Sequence, residues 1–317
     1  MAKRIESGLE AVEVRLREAA ESENAFVSEV ARHLIDAGGK RFRATLVLLA
    51  AQFGDPDAAG VVPAATVVEL THVATLYHDD VMDEALVRRG EPSANSRWGN
   101  TVAILVGDYL FARASDIVAD LGPEIVRIQA RTFSRLVHGQ IQETVGPRPG
   151  VDPVEHYLQV VADKTGALIA TSGRFGAMLA GAEPVVVNAV SRACERIGIA
   201  FQLSDDLLDI ASDSDQSGKT PGTDLREGVR TLPVLHALTS ASPEDARLRE
   251  LLTGDLTEPG RHGEALALLR AHPAMDRARV EALRWVDEAR AELESLPDVP
   301  AKAAFQALCD YVLERTG

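Results

Sequence analysis

Residues 67–83 read Val67-Val68-Glu69-Leu70-Thr71-His72-Val73-Ala74-Thr75-Leu76-Tyr77-His78-Asp79-Asp80-Val81-Met82-Asp83. The first ten are apolar enough to form a buried helix. The last five carry three aspartates, with Asp79 and Asp83 four apart and so on one helix face. Like charges at that spacing destabilise an isolated helix by a few tenths of a kcal/mol, about 0.2–0.5. Carboxylates at the end of a buried helix call for a cation. Their oxygens suit magnesium, which keeps waters and shares substrate phosphate oxygens. One Asp-Asp-x-x-Asp is as readily a solvated helix end.

The same design recurs at Gly198-Ile199-Ala200-Phe201-Gln202-Leu203-Ser204-Asp205-Asp206-Leu207-Leu208-Asp209. Two such clusters, each closing a long apolar helix, argue against chance. The expectation is that both aspartate-rich ends converge on one cavity and hold divalent ions around a diphosphate.

Working outward, helical periodicity covers Glu6 to Ala20, Phe26 to Asp36, Phe42 to Phe53, Ala64 to Glu84, Ala94 to Asp120 and Glu124 to Val145. It resumes over Pro153 to Asp163, Thr165 to Leu179 and Val185 to Ser212, with shorter helices beyond. Gly38-Gly39, Gly54-Asp55-Pro56 and the Gly/Pro-rich 146–153 stretch are breaks. Residues 213–224 read as a loop. No alternating strand pattern and no short repeat occurs. The reading is an all-α protein with one domain over residues 1–317.

Lys and Arg total 33 against 48 Asp and Glu, a formal charge of −15, which argues against a nucleic-acid partner. No apolar run reaches the roughly 18 residues of a membrane span. Two cysteines in unrelated contexts make neither a disulfide framework nor a zinc site. With a charged N-terminal segment, they point to a cytoplasmic protein.

Basic residues beside glycines bracket the acidic clusters: Gly38-Gly39-Lys40-Arg41-Phe42-Arg43, Arg88-Arg89-Gly90, Lys164-Thr165-Gly166 and Gly218-Lys219. Glycine lets a backbone approach an anion, and Lys and Arg bind phosphate as point charge and fork. His72, seven residues before Asp79, shares its face. Gln202 precedes Asp205 by three and faces the same way.

Together these segments resemble the trans-isoprenyl diphosphate synthase (polyprenyl synthetase) family, and most of all its bacterial medium- and long-chain members. Gly107-Asp108-Tyr109-Leu110 and Gly222-Thr223-Asp224-Leu225 with Thr231-Leu232-Pro233 follow in the same order. The resemblance implies an isoprenoid-synthase-type helical bundle around a central cavity, a homodimer and about three magnesium ions per site. It implies Asp79, Asp83 and Asp205 as leading metal ligands, supported by Asp80, Asp206 and Asp209. Arg88, Lys164, Gln202 and Lys219 would hold an allylic diphosphate. Lys40, Arg43, His72 and Arg89 would hold isopentenyl diphosphate, and Thr165 would lie beside the allylic carbon. Lys164, Thr165 and Gln202 are thereby the catalytic candidates. Two positions depart from the pattern: Ala44 replaces a usual proline and Arg230 a common lysine.

In that family, bulky residues four and five positions before the first aspartate stop the product early. Here these are Thr75 and Ala74, with Thr71 a further turn back, all small. The expected product is therefore medium or long, about six to ten isoprene units as the resemblance implies. A short-chain (farnesyl or geranylgeranyl) synthase is the alternative. A class I terpene cyclase needs no second diphosphate site. A phosphohydrolase using His78-Asp79 leaves the second cluster unexplained. A non-catalytic partner subunit would be expected to have lost one cluster.

Overall fold

The structure, a computed structural model, describes residues 1–211 and 221–316. Helices dominate it. They are α1 (Ala2–Ala19), α2 (Ala25–Asp36), α3 (Phe42–Ala50), α4 (Val61–Met82), α5 (Ala94–Trp98), α6 (Asn100–Ala119), α7 (Pro123–Val145), α8 (Pro153–Val161), α9 (Ala167–Leu179) and α10 (Pro184–Ala211). After these come α11 (Thr223–Arg226), α12 (Leu232–Leu238), α13 (Ala246–Leu252), α14 (Pro259–Ala271), α15 (Ala274–Glu294) and α16 (Pro300–Thr316). The described strands are two residues each, β1 (Val87–Arg88) and β2 (Glu91–Pro92), paired antiparallel. The all-α reading holds. Among the described residues no helix is long and apolar enough to cross a membrane.

Contacts divide the chain into two compact units. The first comprises Met1–Ser134, Leu168–Ser191 and Ser295–Ala304, and the second Arg135–Ala167, Arg192–Glu294 and Phe305–Gly317.

In the first unit α4 is the central helix. It is buried on nearly every side over most of its length, from Val61 to Ala74, as an all-round apolar sequence requires. Its close neighbour is α6. Gly107 makes that approach possible, because a Cβ there would lie 2.3 Å from His78 Nε2. Glu69, buried within α4, accepts from the Ala44 N–H at 3.0 Å and so satisfies an orphan donor in the first turn of α3. The departure at Ala44 thus has a local consequence: proline could not make this bond.

Tyr77 is fully buried and donates its hydroxyl to the Val30 carbonyl of α2 at 2.5 Å. It braces α2 from beneath the acidic end of α4. Burial pushes its phenol above the ordinary range.

Three local features differ from the sequence reading. Residues 94–120 are two helices, because Gly99 adopts φ +84° between α5 and α6. Arg89 and Gly90 form a two-residue hairpin turn, both at positive φ (+55° and +81°), as primed turns demand. The break placed at Lys164 is instead a π-helical turn, Ala162–Gly166, inside one continuous helical run from α8 to α9. Such turns concentrate at functional sites.

The second unit is built on the end of α10. Ile199, Leu203, Leu207 and Ile210 form one apolar face that packs with residues of α12, α13, α14 and α15. Each fully buried Leu or Ile contributes about 1.5–3 kcal/mol. That face fixes the rotation of α10, so the alternate face presents Gln202, Asp205 and Asp209 as only partly buried side chains.

Candidate active site

In the first unit the glycine-rich turn after α2 folds back onto arginines. Gly38 (φ +86°) and Gly39 (φ +147°) precede Arg41, itself left-handed at φ +46°. A Cβ on Gly39 would meet the Arg89 guanidinium at 3.2 Å and the Arg41 guanidinium at 3.4 Å. Arg41 pairs with Glu13 at 2.5 Å and donates to the Ile35 carbonyl at 2.9 Å. Arg89 donates to the Leu34 carbonyl at 2.5 Å. Both therefore dock on the carbonyl end of α2, where a cation is stabilised.

Arg43 and His72 complete this group. The Arg43 Nε is buried and has no hydrogen-bond partner. Burial lowers the Arg43 pKa, Glu69 opposes that shift, and Arg89 adds to it. Burial, followed by Arg43, Arg89, Arg88 and Arg41, holds His72 well below the usual imidazole range. A neutral histidine among four guanidiniums, one with an unused buried donor, is a site prepared for an anion. Lys40, in the same turn, is exposed.

The acidic end of α4 lies in this same unit. Asp79 is half-buried and Asp83, the C-cap of α4, is exposed. Asp80 is buried and paired with Arg88 at 2.6 Å, and its Oδ2 has no partner. Burial raises the Asp80 pKa and Arg88 opposes it. His78 turns to α6, with Nε2 3.1 Å from the Ile104 carbonyl and 3.4 Å from Asp108.

Thr71 and Ala74 are buried and Thr75 is half-buried. Thr71 accepts from Gln129 Nε2 of α7 at 2.7 Å, and Thr132 meets Thr171 of α9 at 2.6 Å. The sequence reading did not find these buried polar rungs.

In the second unit the π-helical turn displays Lys164 and Thr165. Its own Asp163 is buried and bound by Arg135 at 2.7 Å and by Gln159 at 2.9 Å. Gly139 of α7 leaves room for it, since a Cβ there would lie 2.8 Å from the Lys164 amide nitrogen. Lys164 pairs with Glu143 at 2.5 Å. Thr165 donates to Gln202 Oε1 at 3.3 Å, and Gln202 Nε2 donates to Asp206 Oδ1 at 3.0 Å. The Tyr157 hydroxyl of α8 donates to the other Asp206 oxygen. Burial pushes the Asp206 carboxyl up to about 7 against those two hydrogen bonds.

Asp205 is half-buried and ion-paired with Arg315 of α16, whose guanidinium also lies over the Phe201 ring at 4.6 Å. Asp209 accepts from the Thr223 and Asp224 amides at 3.2 and 3.1 Å, anchoring α11 to the end of α10. Lys219 lies outside the described residues. Arg230 is exposed and lines a pocket of about 230 Å³ with Arg226 and Asp255. Sequence reasoning missed Tyr157 and Arg315. Neither belongs to an acidic or glycine-basic motif, so no local signal marked them.

The donor sets fit magnesium. Among the described residues no three His, Cys, Asp or Glu side chains gather closely enough to hold a metal by themselves. Magnesium is ordinarily bound by one or two carboxylates with substrate phosphates and water. The half-buried or exposed Asp79, Asp83 and Asp205, and the unpartnered Asp80 Oδ2, offer that kind of ligand.

Carboxylates suited to magnesium, and a cationic pocket for an anion in the first unit, fit a prenyltransferase. The chain belongs to the polyprenyl synthetase family, whose model, described as Polyprenyl synthetase, matches residues 24–269. It is a trans-prenyltransferase. It is 55% identical over 292 residues to a nonaprenyl diphosphate synthase of Mycobacterium tuberculosis, covering 92% of this chain and 87% of that one. It is 43% identical to a dimethylallyltranstransferase of the same organism, covering 94% and 92%. The structure matches a geranylgeranyl pyrophosphate synthase of Corynebacterium glutamicum complexed with calcium and isoprenyl diphosphate. That match has a TM-score of 0.91 and 46% identity, and covers 100% of this chain and 97% of the other. A decaprenyl diphosphate synthase of Rhodobacter capsulatus matches with a TM-score of 0.91 and 36% identity, covering 100% and 98%.

Proposed function

We propose that the protein condenses isopentenyl diphosphate with an allylic diphosphate, head to tail, and repeats the step to a medium or long trans-polyprenyl diphosphate. The observation that carries this is the arginine–histidine pocket beside the first acidic cluster. An enzyme that only ionised one diphosphate would not need a cationic site with an unused buried donor.

In this reading Arg43, His72 and Arg89, with the exposed Lys40, bind isopentenyl diphosphate. Asp79, Asp83 and Asp205 hold magnesium, and Asp80, Asp206 and Asp209 stand behind them, each fixed by a protein group. Magnesium would neutralise the leaving diphosphate. Arg88, Lys164, Gln202 and Lys219 hold the allylic diphosphate as its C–O bond breaks. Thr165 stands near the cationic carbon. The bound double bond attacks that carbon, an orientation effect. The proton then lost goes to a diphosphate oxygen, so no side-chain base is required.

The small, buried Thr71 and Ala74 and the likeness to a nonaprenyl diphosphate synthase support a long product. A short product is the second reading. The Gln129–Thr71 bond and the likeness to a geranylgeranyl synthase favour it. We further propose a homodimer, supported by the exposed apolar side chains Leu86, Val87 and Leu105 in the first unit. A cytoplasmic location goes with it, on two buried cysteine thiols.

The test incubates purified protein, magnesium, isopentenyl diphosphate and each allylic starter, and resolves products by size. Absence of chain growth with every starter would defeat the reading. Products no longer than geranylgeranyl would replace the long-chain reading by the short one.

A further inference from the structure

Asp206 is 4% exposed, and protein hydrogen bonds occupy both its oxygens. One donor is Gln202 Nε2. That bond fixes the amide, because the reverse orientation would set a carbonyl oxygen against a carboxylate. With the NH₂ committed, Gln202 Oε1 faces the Thr165 hydroxyl, which donates to it at 3.3 Å. The other donor is Tyr157, on α8, one helical run before Thr165.

We propose that Tyr157 is a positioning residue, and that it, Asp206 and Gln202 form a relay that orients Thr165 toward the allylic carbon. This rests on the prenyl-transfer reading and deepens it. It assigns Asp206 the base of the relay in place of metal ligation.

Asp206 polarises the Gln202 N–H, which enriches the electron density on Gln202 Oε1. That oxygen accepts the Thr165 proton, so the Thr165 lone pairs point away from Gln202 and carry added negative character. Hydrogen-bond chains in a low-dielectric setting strengthen one another in this way. A lone-pair oxygen held fixed beside a developing carbocation stabilises it without attacking it. Its benefit appears only as charge develops, so it raises turnover without tightening substrate binding. Tyr157 prevents Asp206 from rotating out of the chain. Asp205, one residue earlier and half-exposed, is the oxygen source better placed for a cation.

The experiment compares wild type, Tyr157→Phe, Asp206→Asn and Asp205→Asn with intact protein. Two measurements are made on each. One is steady-state kinetics with farnesyl and isopentenyl diphosphates. The other is calorimetric binding of magnesium with a thiolo analogue of farnesyl diphosphate that does not ionise. The expected result for Tyr157→Phe is a kcat lowered about tenfold or more, the loss of one charge-assisted bond, with KM within about twofold. Analogue affinity in Tyr157→Phe and Asp206→Asn stays within about twofold of wild type, while Asp205→Asn weakens it more than about tenfold.

Unchanged kcat in Tyr157→Phe overturns the relay. Equal loss of analogue affinity in Asp206→Asn and Asp205→Asn overturns it too, since Asp206 is then a ligand. A Tyr157→Phe that melts far below wild type and loses kcat and affinity together assigns the tyrosine to stability alone. If wild type elongates no starter, prenyl transfer itself fails, and the calorimetric arm still decides whether Asp206 binds metal.

Discussion

His72 gives the pocket a measurable proton signature. Its imidazole is held well below the usual range by burial and then by Arg43, Arg89, Arg88 and Arg41. The folded protein therefore keeps His72 neutral at pH values where the unfolded chain, with an ordinary value of about 6.5, binds a proton. The unfolded state binds more protons, so stability falls as pH falls through about 6.5. The slope from this group approaches about 1.4 kcal/mol per pH unit and flattens only below the folded value. For a chain of this length each kcal/mol moves Tm by about 2 °C, as for other large domains.

His72→Gln removes the proton site and keeps a hydrogen-bonding side chain. Melting curves from pH 7.5 to 5 therefore diverge: wild type loses stability below about pH 6.5 more steeply than His72→Gln by nearly that slope. Inorganic diphosphate should compress the divergence, because an anion in the pocket offsets the guanidiniums and lets His72 take up a proton. Calorimetry in two buffers of different ionisation enthalpy reads that uptake directly. Parallel pH profiles for the two proteins, with no proton uptake on diphosphate binding, would refute the reasoning that His72 is kept neutral by its neighbours.

Three shorter predictions follow from the same geometry. Ala74→Phe places a large side chain at a fully buried position of α4, which should shorten the product on a sizing gel and cost about 1–3 kcal/mol from overpacking. Unchanged product length would count against a floor at that position. Gly107→Ala puts a methyl 2.3 Å from His78 Nε2, so the His78 ring must leave the Ile104 carbonyl or α4 and α6 must separate; thermal melts should show a loss of about 1–3 kcal/mol. Arg315→Ala removes the cation paired with Asp205, so half-maximal activity should need less magnesium, and an unshifted magnesium curve would show that the pair does not compete.

Much of the fold was legible because its helices are long and strongly patterned. The apolar stretch from Val67 to Leu76 and the repeated Asp-Asp-x-x-Asp placed α4 and α10 within a few residues of their observed limits. What escaped was set by single backbone positions. The break between α5 and α6 depends on the positive φ of Gly99, and a lone glycine in a periodic run is ordinarily tolerated. The hairpin at Arg89-Gly90 is too short for alternation to reveal. The π-helical turn at Lys164 is held on Asp163 by Gln159, one helical turn before it, but also by Arg135 and by the missing side chain of Gly139, both remote in sequence from any local motif. At the site, charged residues announced themselves by clustering. Tyr157 and Arg315 act through long-range bonds, to Asp206 and Asp205 49 and 110 residues away, which no spacing rule encodes.

The arginine pocket also raises the question of how four guanidiniums coexist in a protein before any anion arrives. Each has a protein counterpart on one side. Arg41 has Glu13 and the Ile35 carbonyl, Arg89 has the Leu34 carbonyl, Arg43 has the field of Glu69, and Arg88 has Asp80. Three carboxylates against four guanidiniums leave about one net positive charge, so most of the mutual repulsion is offset before an anion arrives. A guanidinium carries five donors in a rigid fork, and none of these partners uses them all. The remaining donors are already oriented, so a diphosphate meets them with little reordering. Partial neutralisation also limits how tightly the anion is held. An elongating enzyme must bind a new isopentenyl diphosphate at every cycle, and a fully uncompensated cluster would favour retaining the anion over exchanging it. Replacing Glu69 with Gln tests this balance. The pocket gains net positive charge, inorganic diphosphate should bind more tightly, and its release should slow in stopped-flow displacement. Weaker binding in Glu69→Gln would mean that Glu69 serves the pocket chiefly by holding the first turn of α3, through the Ala44 amide, in the place that Arg43 requires.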